Sequence, residues 1–168
     1  DRPVVHELGF TIIPPEYTQE SIFHHPPNIT DISMPEGSNI RISGRASKPL
    51  KSAWIIMEEN LYNLSIINNN IEGTILINDN HTFSIHIKDH NGVNNLHPPN
   101  YRLHIIKDSP PDLIIQNPPK KFELDESDHI DFNFQISDDY GFSNSWIVYN
   151  IIAPSYLQQD TTTYLRYI

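Results

Sequence analysis

Four apolar residues at every second position, Ile130, Phe132, Phe134 and Ile136, alternate with the polar Asp131, Asn133, Gln135 and Ser137. Successive side chains point to opposite faces only in an extended strand, so this period of two constrains the chain more than any other feature. The same alternation recurs. Ile40 and Ile42 oppose Arg41 and Ser43, and Phe83, Ile85 and Ile87 oppose Thr82, Ser84, His86 and Lys88. Tyr101, Leu103 and Ile105 repeat it. Further strands are expected over 4–13, 52–58, 61–67 and 71–77, which makes seven before residue 108. In the 52–58 strand, Trp54 and Ile56 are expected on the inner face. Pro14-Pro15 ends the first strand, because proline cannot donate to a ladder. Asn68-Asn69-Asn70 reads as a turn able to take positive φ. Residues 16–34, with His24-His25-Pro26-Pro27, read as a long irregular connection. No stretch shows a capped 3.6-residue period, and the 14 prolines suit strands and stiff turns rather than helices.

A longer period lies over the short one. Residues 36–57 (EGSNIRISGRASKPLKSAWIIM) are faintly echoed by residues 126–149 (ESDHIDFNFQISDDYGFSNSWIVY). Glu36 answers to Glu126, Ile40 to Ile130 and Trp54 to Trp146, an offset of about 90 residues, close to the size of an immunoglobulin-like sandwich. The fold expected is all-β, with two consecutive immunoglobulin-like β-sandwich units covering 1–108 and 109–168. Asp108-Ser109-Pro110-Pro111-Asp112 is the joint, short and stiffened by proline. The second unit is expected to use strands over 113–116, from 122, over 130–136, 146–152 and 161–168, with Trp54 and Trp146 buried at comparable places. The same offset puts counterparts of the 82–88 and 101–107 strands beyond Ile168. The second unit is therefore expected to be incomplete at its C-terminal end, and the chain reads as a fragment of a longer protein.

The formal net charge of −10 argues against nucleic acid or an anionic membrane as a direct partner, since both need a basic surface. Without cysteine, disulfide and thiolate chemistry are excluded. No signal-peptide pattern or membrane-length apolar run is present.

Three local patterns are similar to a known family when taken together. They are Ile13-Pro14-Pro15-Glu16-Tyr17-Thr18 after the opening strand, Phe83 through Ile85 and Ile87 to Asp89 and Gly92, and Ser137-Asp138-Asp139-Tyr140-Gly141-Phe142. They resemble an uncharacterised bacterial family of large, membrane-anchored proteins, known only as a domain of unknown function, with immunoglobulin-like domains in series outside the cytoplasm. The resemblance implies an extracytoplasmic place, periplasmic or at the cell surface, and a β-sandwich. It carries no catalytic residues.

The residues themselves assign no catalytic, cofactor-binding or metal-binding site. His86 and His104 on two hairpin strands, with Asp89, could hold zinc if the strands brought them together, but no HExxH or CxxC frame supports it. Asp138-Asp139 with Asp108 and Asp112 could hold calcium, yet no EF-hand loop is present and Asp-Asp-Tyr-Gly is a sufficient turn. Glu58-Glu59 points to opposite faces of a strand. Serine stands in no nucleophile elbow, and no glycine-rich loop opens a helix. Asn28-Ile29-Thr30 and Asn63-Leu64-Ser65 match glycosylation sequons that act only in a glycosylating source. The function expected is a non-catalytic structural or interaction module of a larger bacterial envelope protein. Its partners would be neighbouring domains of the same protein, and protein or glycan. The alternatives are a glycan- or peptide-binding module and an accessory region of an enzyme.

Separate expression tests the division. Residues 1–109 should melt cooperatively by circular dichroism, whereas 112–168, near the size limit for independent folding, should be disordered or aggregated until extended by about 30 native residues. A cooperative monomeric melt of 112–168 would show a complete smaller fold instead.

Overall fold

The computed structural model describes residues 1–27, 29–121, 129–150, 156 and 163–167. The chain divides into two compact units, Asp1–Asp108 and Ser109–Ile168. The described residues are all-β, apart from one 3₁₀ turn at Glu16–Thr18. No described helix is long and apolar enough to cross a membrane.

The described residues of the first unit form ten strands: β1 (Val5–Ile13), β2 (Phe23–His25), β3 (Asp31–Pro35), β4 (Ser38–Ala46), β5 (Leu50–Met57), β6 (Asn60–Asn63), β7 (Ser65–Ile67), β8 (Asn70–Ile77), β9 (His81–Asp89) and β10 (Asn100–Ile106). One sheet runs β2-β1-β4-β8-β7 and the other β3-β10-β9-β5-β6. All neighbours are antiparallel except β3 and β10, which run parallel from Asp31↔Arg102 to Pro35↔Ile106. Without the added edge strands, β1-β4-β8-β7 and β10-β9-β5 reproduce the ABED and GFC strand orders of an immunoglobulin-like sandwich.

The core lies between the sheets. Phe10, Ile12, Ile40, Ile42, Ile71 and Ile77 come from one sheet and meet Ile32, Met34, Ile55, Met57, Phe83, Ile85, Ile87 and Leu103 from the other. Phe10 packs edge-on against Phe83 (5.9 Å between centroids) and Tyr101 (5.1 Å), which stack on each other. Such aromatic pairs add about 0.5–1.5 kcal/mol each beyond the area they bury. The alternation at Ile40/Ile42 and Phe83/Ile85/Ile87 is oriented as the sequence requires, and so are Tyr101 and Leu103.

Three local expectations need correction. Trp54 and Ile56 lie on the outer face, while Ala53, Ile55 and Met57 fill the core. Because side chains alternate strictly, reading a strand one residue out of phase reverses every assignment, and the smaller Ala53 is what fits between the sheets. Residues 61–67 are not one strand. β6 pairs with β5 in one sheet, β7 pairs with β8 in the other, and the chain crosses at the buried Leu64. The Leu64 N–H still donates to Ala53 O (2.9 Å), so this buried donor keeps a partner through the crossing. Residues 16–34 are not simply irregular, since they contain the 3₁₀ turn, β2 and most of β3. The Asn68 turn does take positive φ (58°), and β1 ends at Ile13 before the proline pair.

The turn between β3 and β4 joins the two sheets. Glu36 N–H donates to Ile106 O and Gly37 N–H to Ile77 O, both at 3.0 Å, while the buried Ser38 hydroxyl donates to Pro35 O (2.6 Å). Gly37 has φ +77°, which a side chain would disfavour.

The second unit contains β11 (Asp112–Asn117), β12 (Asn133–Ser137), β13 (Trp146–Asn150) and β14 (Thr163–Tyr167). They pair antiparallel as β11-β12 and β13-β14. Ile130 and Phe132 precede β12 instead of belonging to it, and both are exposed. Trp146 is 54% exposed, against the expectation of burial, because its face of β13 borders an open groove. Glu126, the strand expected from 122 and the ends at 151–152 and 161–162 lie outside the described residues.

Leu64 at the crossing sits over Gly73 of β8, where an added Cβ would collide with its Cδ2 atom. Gly73→Ala should therefore destabilise the first unit by about 1–3 kcal/mol through overpacking. Leu64→Ala should cost about 2–5 kcal/mol by opening a cavity. The double variant should cost less than the sum in urea unfolding, because each change relieves the other. Strict additivity would mean that the two residues do not share the space.

Candidate functional site

Among the described residues, three polar assemblies and one apolar groove stand out as candidate sites. The buried charged side chain among the described residues is Asp89, at the end of β9, only 4% exposed. Gly92, at φ +83°, lets the chain turn back sharply after it. Asp89 Oδ1 accepts the N–H groups of Asn91 (3.0 Å) and Val93 (2.9 Å), and Lys48 Nζ lies 3.4 Å from Oδ2. Hydrogen bonding from the Val93 amide, then from Lys48 and Asn91, holds this carboxyl below the usual carboxylate range despite the opposing effect of desolvation. Two residues past this turn, Asn95 presents its carboxamide to β9. Its Oδ1 accepts from Ile87 N–H (3.1 Å) and its Nδ2 donates to Ile85 O (2.9 Å), the two bonds a passing strand would make. The motif noted from Phe83 to Gly92 is thus the scaffold of the β9–β10 turn.

The second assembly joins the parallel pair. Arg102 of β10 grips Asp31 of β3 with two bonds, Nε to Oδ1 at 2.7 Å and Nη2 to Oδ2 at 2.9 Å. His104 Nε2 lies 3.3 Å from the same Oδ1. The Arg102 and His104 hydrogen bonds bring the Asp31 carboxyl down to about 2. All three side chains are roughly half exposed, so water screens the pair and its contribution to stability is small. Next to it, His81 Nδ1 and Glu58 Oε1 are 2.8 Å apart. His81, Glu58, Arg102 and His104 line a shallow cavity of about 360 Å³.

The third assembly is on the outer face of β5 and β9. Trp54 stacks on its cross-strand neighbour His86, with centroids 5.7 Å apart and planes 16° from parallel. Ser84 Oγ bonds His86 Nε2 at 2.9 Å, and burial pushes the imidazole below its ordinary range, favouring the neutral ring.

The apolar groove belongs to the second unit. Leu113 and Ile115 of β11 and Phe134 and Ile136 of β12 are cross-strand partners and form one wall. Trp146 and Val148 of β13 form the other, around about 470 Å³.

The zinc arrangement does not assemble. Leu103 pairs with His81 and Asn100 with Ser84, so His86 and His104 lie toward opposite ends of the β9–β10 ladder, about 20 Å apart at the rise of a strand. Asp89 is occupied by its turn. Among the described residues, no three His, Asp or Glu side chains gather as metal ligands. Asp138 accepts the Tyr140 N–H (3.2 Å), the turn role weighed for it. Glu58 leaves the ladder at φ +53°, bonded to His81. Asn63 of the second sequon lies exposed on β6, and Asn28 of the first lies outside the described residues. Sequence reasoning missed the Asp31–Arg102 pair, since its partners are far apart in the chain and no local pattern announces a parallel strand pairing. No protein-family model matches the chain, and no curated protein matches it.

Asp89 gives a signed pH dependence. Its folded pKa is depressed, so its contribution to stability is present above about pH 4, the unfolded carboxyl value, and is lost as pH falls through the lower folded value. Asp89→Asn keeps an acceptor for the turn amides but removes the charge facing Lys48. The variant should be less stable than the parent at pH 7, and the difference should shrink on acidification below about pH 4 in thermal melts. A constant difference from pH 7 to pH 3 would assign the loss to packing.

Proposed function

We propose that the chain is a non-catalytic structural or interaction module of a larger bacterial envelope protein, in which sandwich units follow one another as spacers. The observation that carries this reading is the employment of the best-held polar groups. Asp89 binds the backbone of its own turn, Asn95 binds the backbone of β9, and Asp31 binds across a strand pair. These groups brace a sandwich rather than face one another across a reaction site. The proline-containing joint at 108–112 and the resemblance to extracytoplasmic immunoglobulin-like series add support from sequence. The about 90-residue repeat also belongs to this proposal and rests on the residue pairs that suggested it.

A second reading, a glycan- or peptide-binding module, draws on one structural observation. Trp54 faces outward, held flat by His86, beside the exposed Asn63 of β6. An aromatic face with neighbouring amide and hydroxyl groups is the chemistry that receives a sugar ring or an extended peptide.

Two measurements separate the readings. Antibodies raised against residues 1–108 should recover the antigen in the envelope fraction of the source cells, and recovery in the cytosolic fraction would end the envelope assignment. On a glycan and peptide panel the chain should give no signal that depends on Trp54. Binding abolished by Trp54→Ala, with the melting temperature unchanged, would establish the second reading.

A further inference from the structure

A cavity apart from the sites described above opens in the first unit, between the start of β1 and the connection from β9 to β10. A bulge in β1 shapes it. His6 pairs with Arg45 and Gly9 with Ser43, so Glu7 and Leu8 together stand opposite the single residue Gly44. Val5 and Leu8 close over that glycine, where an added Cβ would lie 2.8 Å from one and 3.2 Å from the other. The bulge holds Glu7 at φ +53°, and on the other wall His97 stands at φ +49°. Both are left-handed values that glycine takes more readily, yet neither residue is glycine. The cavity between these walls measures about 510 Å³, beside a core that is otherwise closely packed.

Two core residues, Ile85 and Tyr101, reach this cavity from within the sandwich. Tyr101 is 8% exposed, and its ring is held by Phe10 and Phe83, each at 5.1 Å between centroids. Its hydroxyl makes no hydrogen bond to any described residue, and its oxygen is not sealed from the surface. A tyrosine buried to this extent ordinarily has a partner for that group. Burial raises the phenol above its ordinary range, so it stays protonated and is a hydrogen-bond donor at neutral pH.

We propose that this cavity is a binding site for a small uncharged organic molecule, with an apolar body and one carbonyl-type acceptor that takes the Tyr101 O–H. The body rests against Val5, Leu8, Ile85 and Pro98. The volume lies within the range of about 300–1,000 Å³ usual for small-molecule sites. The rim selects against net charge. Arg2 and Glu7 both line it with opposite signs, and Arg2 already donates to Asn94 O (3.3 Å). A charged ligand would give up its hydration here without gaining a one-sided field in return. Asn95, on the same wall, is engaged with the backbone of β9. Tyr101 is therefore the buried donor on the wall that remains for a ligand. Such a site adds ligand binding to the spacer role and does not depend on it.

The test titrates residues 1–168 with benzylacetone, a phenyl ring joined by a short chain to a methyl ketone, and follows it by residue-resolved NMR. Saturable shifts should appear at the methyl groups of Val5, Leu8 and Ile85 and at Tyr101. The amine analogue, with an ammonium in place of the carbonyl, should bind at least about tenfold more weakly. Tyr101→Phe keeps the ring that packs on Phe10 and Phe83 and removes the hydroxyl alone. It should weaken ketone binding about fivefold, the value of one net hydrogen bond. The melting temperature of the first unit should not fall, because the hydroxyl holds no described group in the fold. The absence of saturable shifts, or shifts confined to the groove of the second unit, would overturn the proposal. So would equal affinity for ketone and amine, or a Tyr101→Phe variant that binds the ketone as the parent does or melts at a lower temperature.

Discussion

The contact of Phe10 with Phe83 and Tyr101 is the point on which the first unit depends. One ring comes from β1 and the other two from β9 and β10, so the cluster joins the two sheets directly. Two amphipathic sheets have no reason to stay face to face except the apolar surface they remove from water. Around the rings, isoleucine dominates both inner faces. Its branched side chain suits a pleated surface and gives the layer few alternative rotamers. Burial at this density leaves little room for misplacement, and where β6 passes directly into β7 the chain changes sheets at a single residue, Leu64, that fits over a glycine.

The polar groups complete what the core begins. A sandwich must close its ends, where strands stop and backbone groups lose their ladder partners. Asp89 supplies acceptors to the amides of one such turn, and Asn95 imitates a strand with its carboxamide. The turn from Pro35 to Ser38 ties β10 to β8 through two backbone bonds. The Asp31–Arg102 fork marks the parallel edge, whose hydrogen bonds are slanted and slightly weaker than antiparallel ones. The surfaces differ in kind: the outer face of β5 and β9 presents an aromatic platform, and the second unit presents an apolar groove.

Much of this was legible in the residues, and particular ones show where legibility stopped. The alternation at Ile40 and Ile42, at Phe83 to Ile87 and at Tyr101 and Leu103 placed strands and inner faces, because a period of two has one structural meaning. The strand carrying Trp54 is ambiguous in the sequence, because S-A-W-I-I-M offers apolar side chains on both parities. Only the opposing sheet decides that Ala53, Ile55 and Met57 face inward. The crossing at Leu64 was hidden in an unbroken apolar run. The β3–β10 pairing was hidden for another reason, since contacts between distant segments leave no local trace.

By itself, then, the sequence determined that the chain is made of strands, where its proline-bound joint lies, and that a chain without cysteine has no disulfide or thiolate chemistry. These follow from covalent geometry and composition, which act residue by residue. Only the tertiary structure decided which face of β5 is inner, that His86 and His104 stand far apart, and that Asp89 is spent on its own turn. It also decided that Trp146 borders an open groove rather than a closed core. Register, sheet exchange and burial depend on what lies across the sandwich, and the residue across is chosen by three-dimensional packing rather than by any neighbour in the chain.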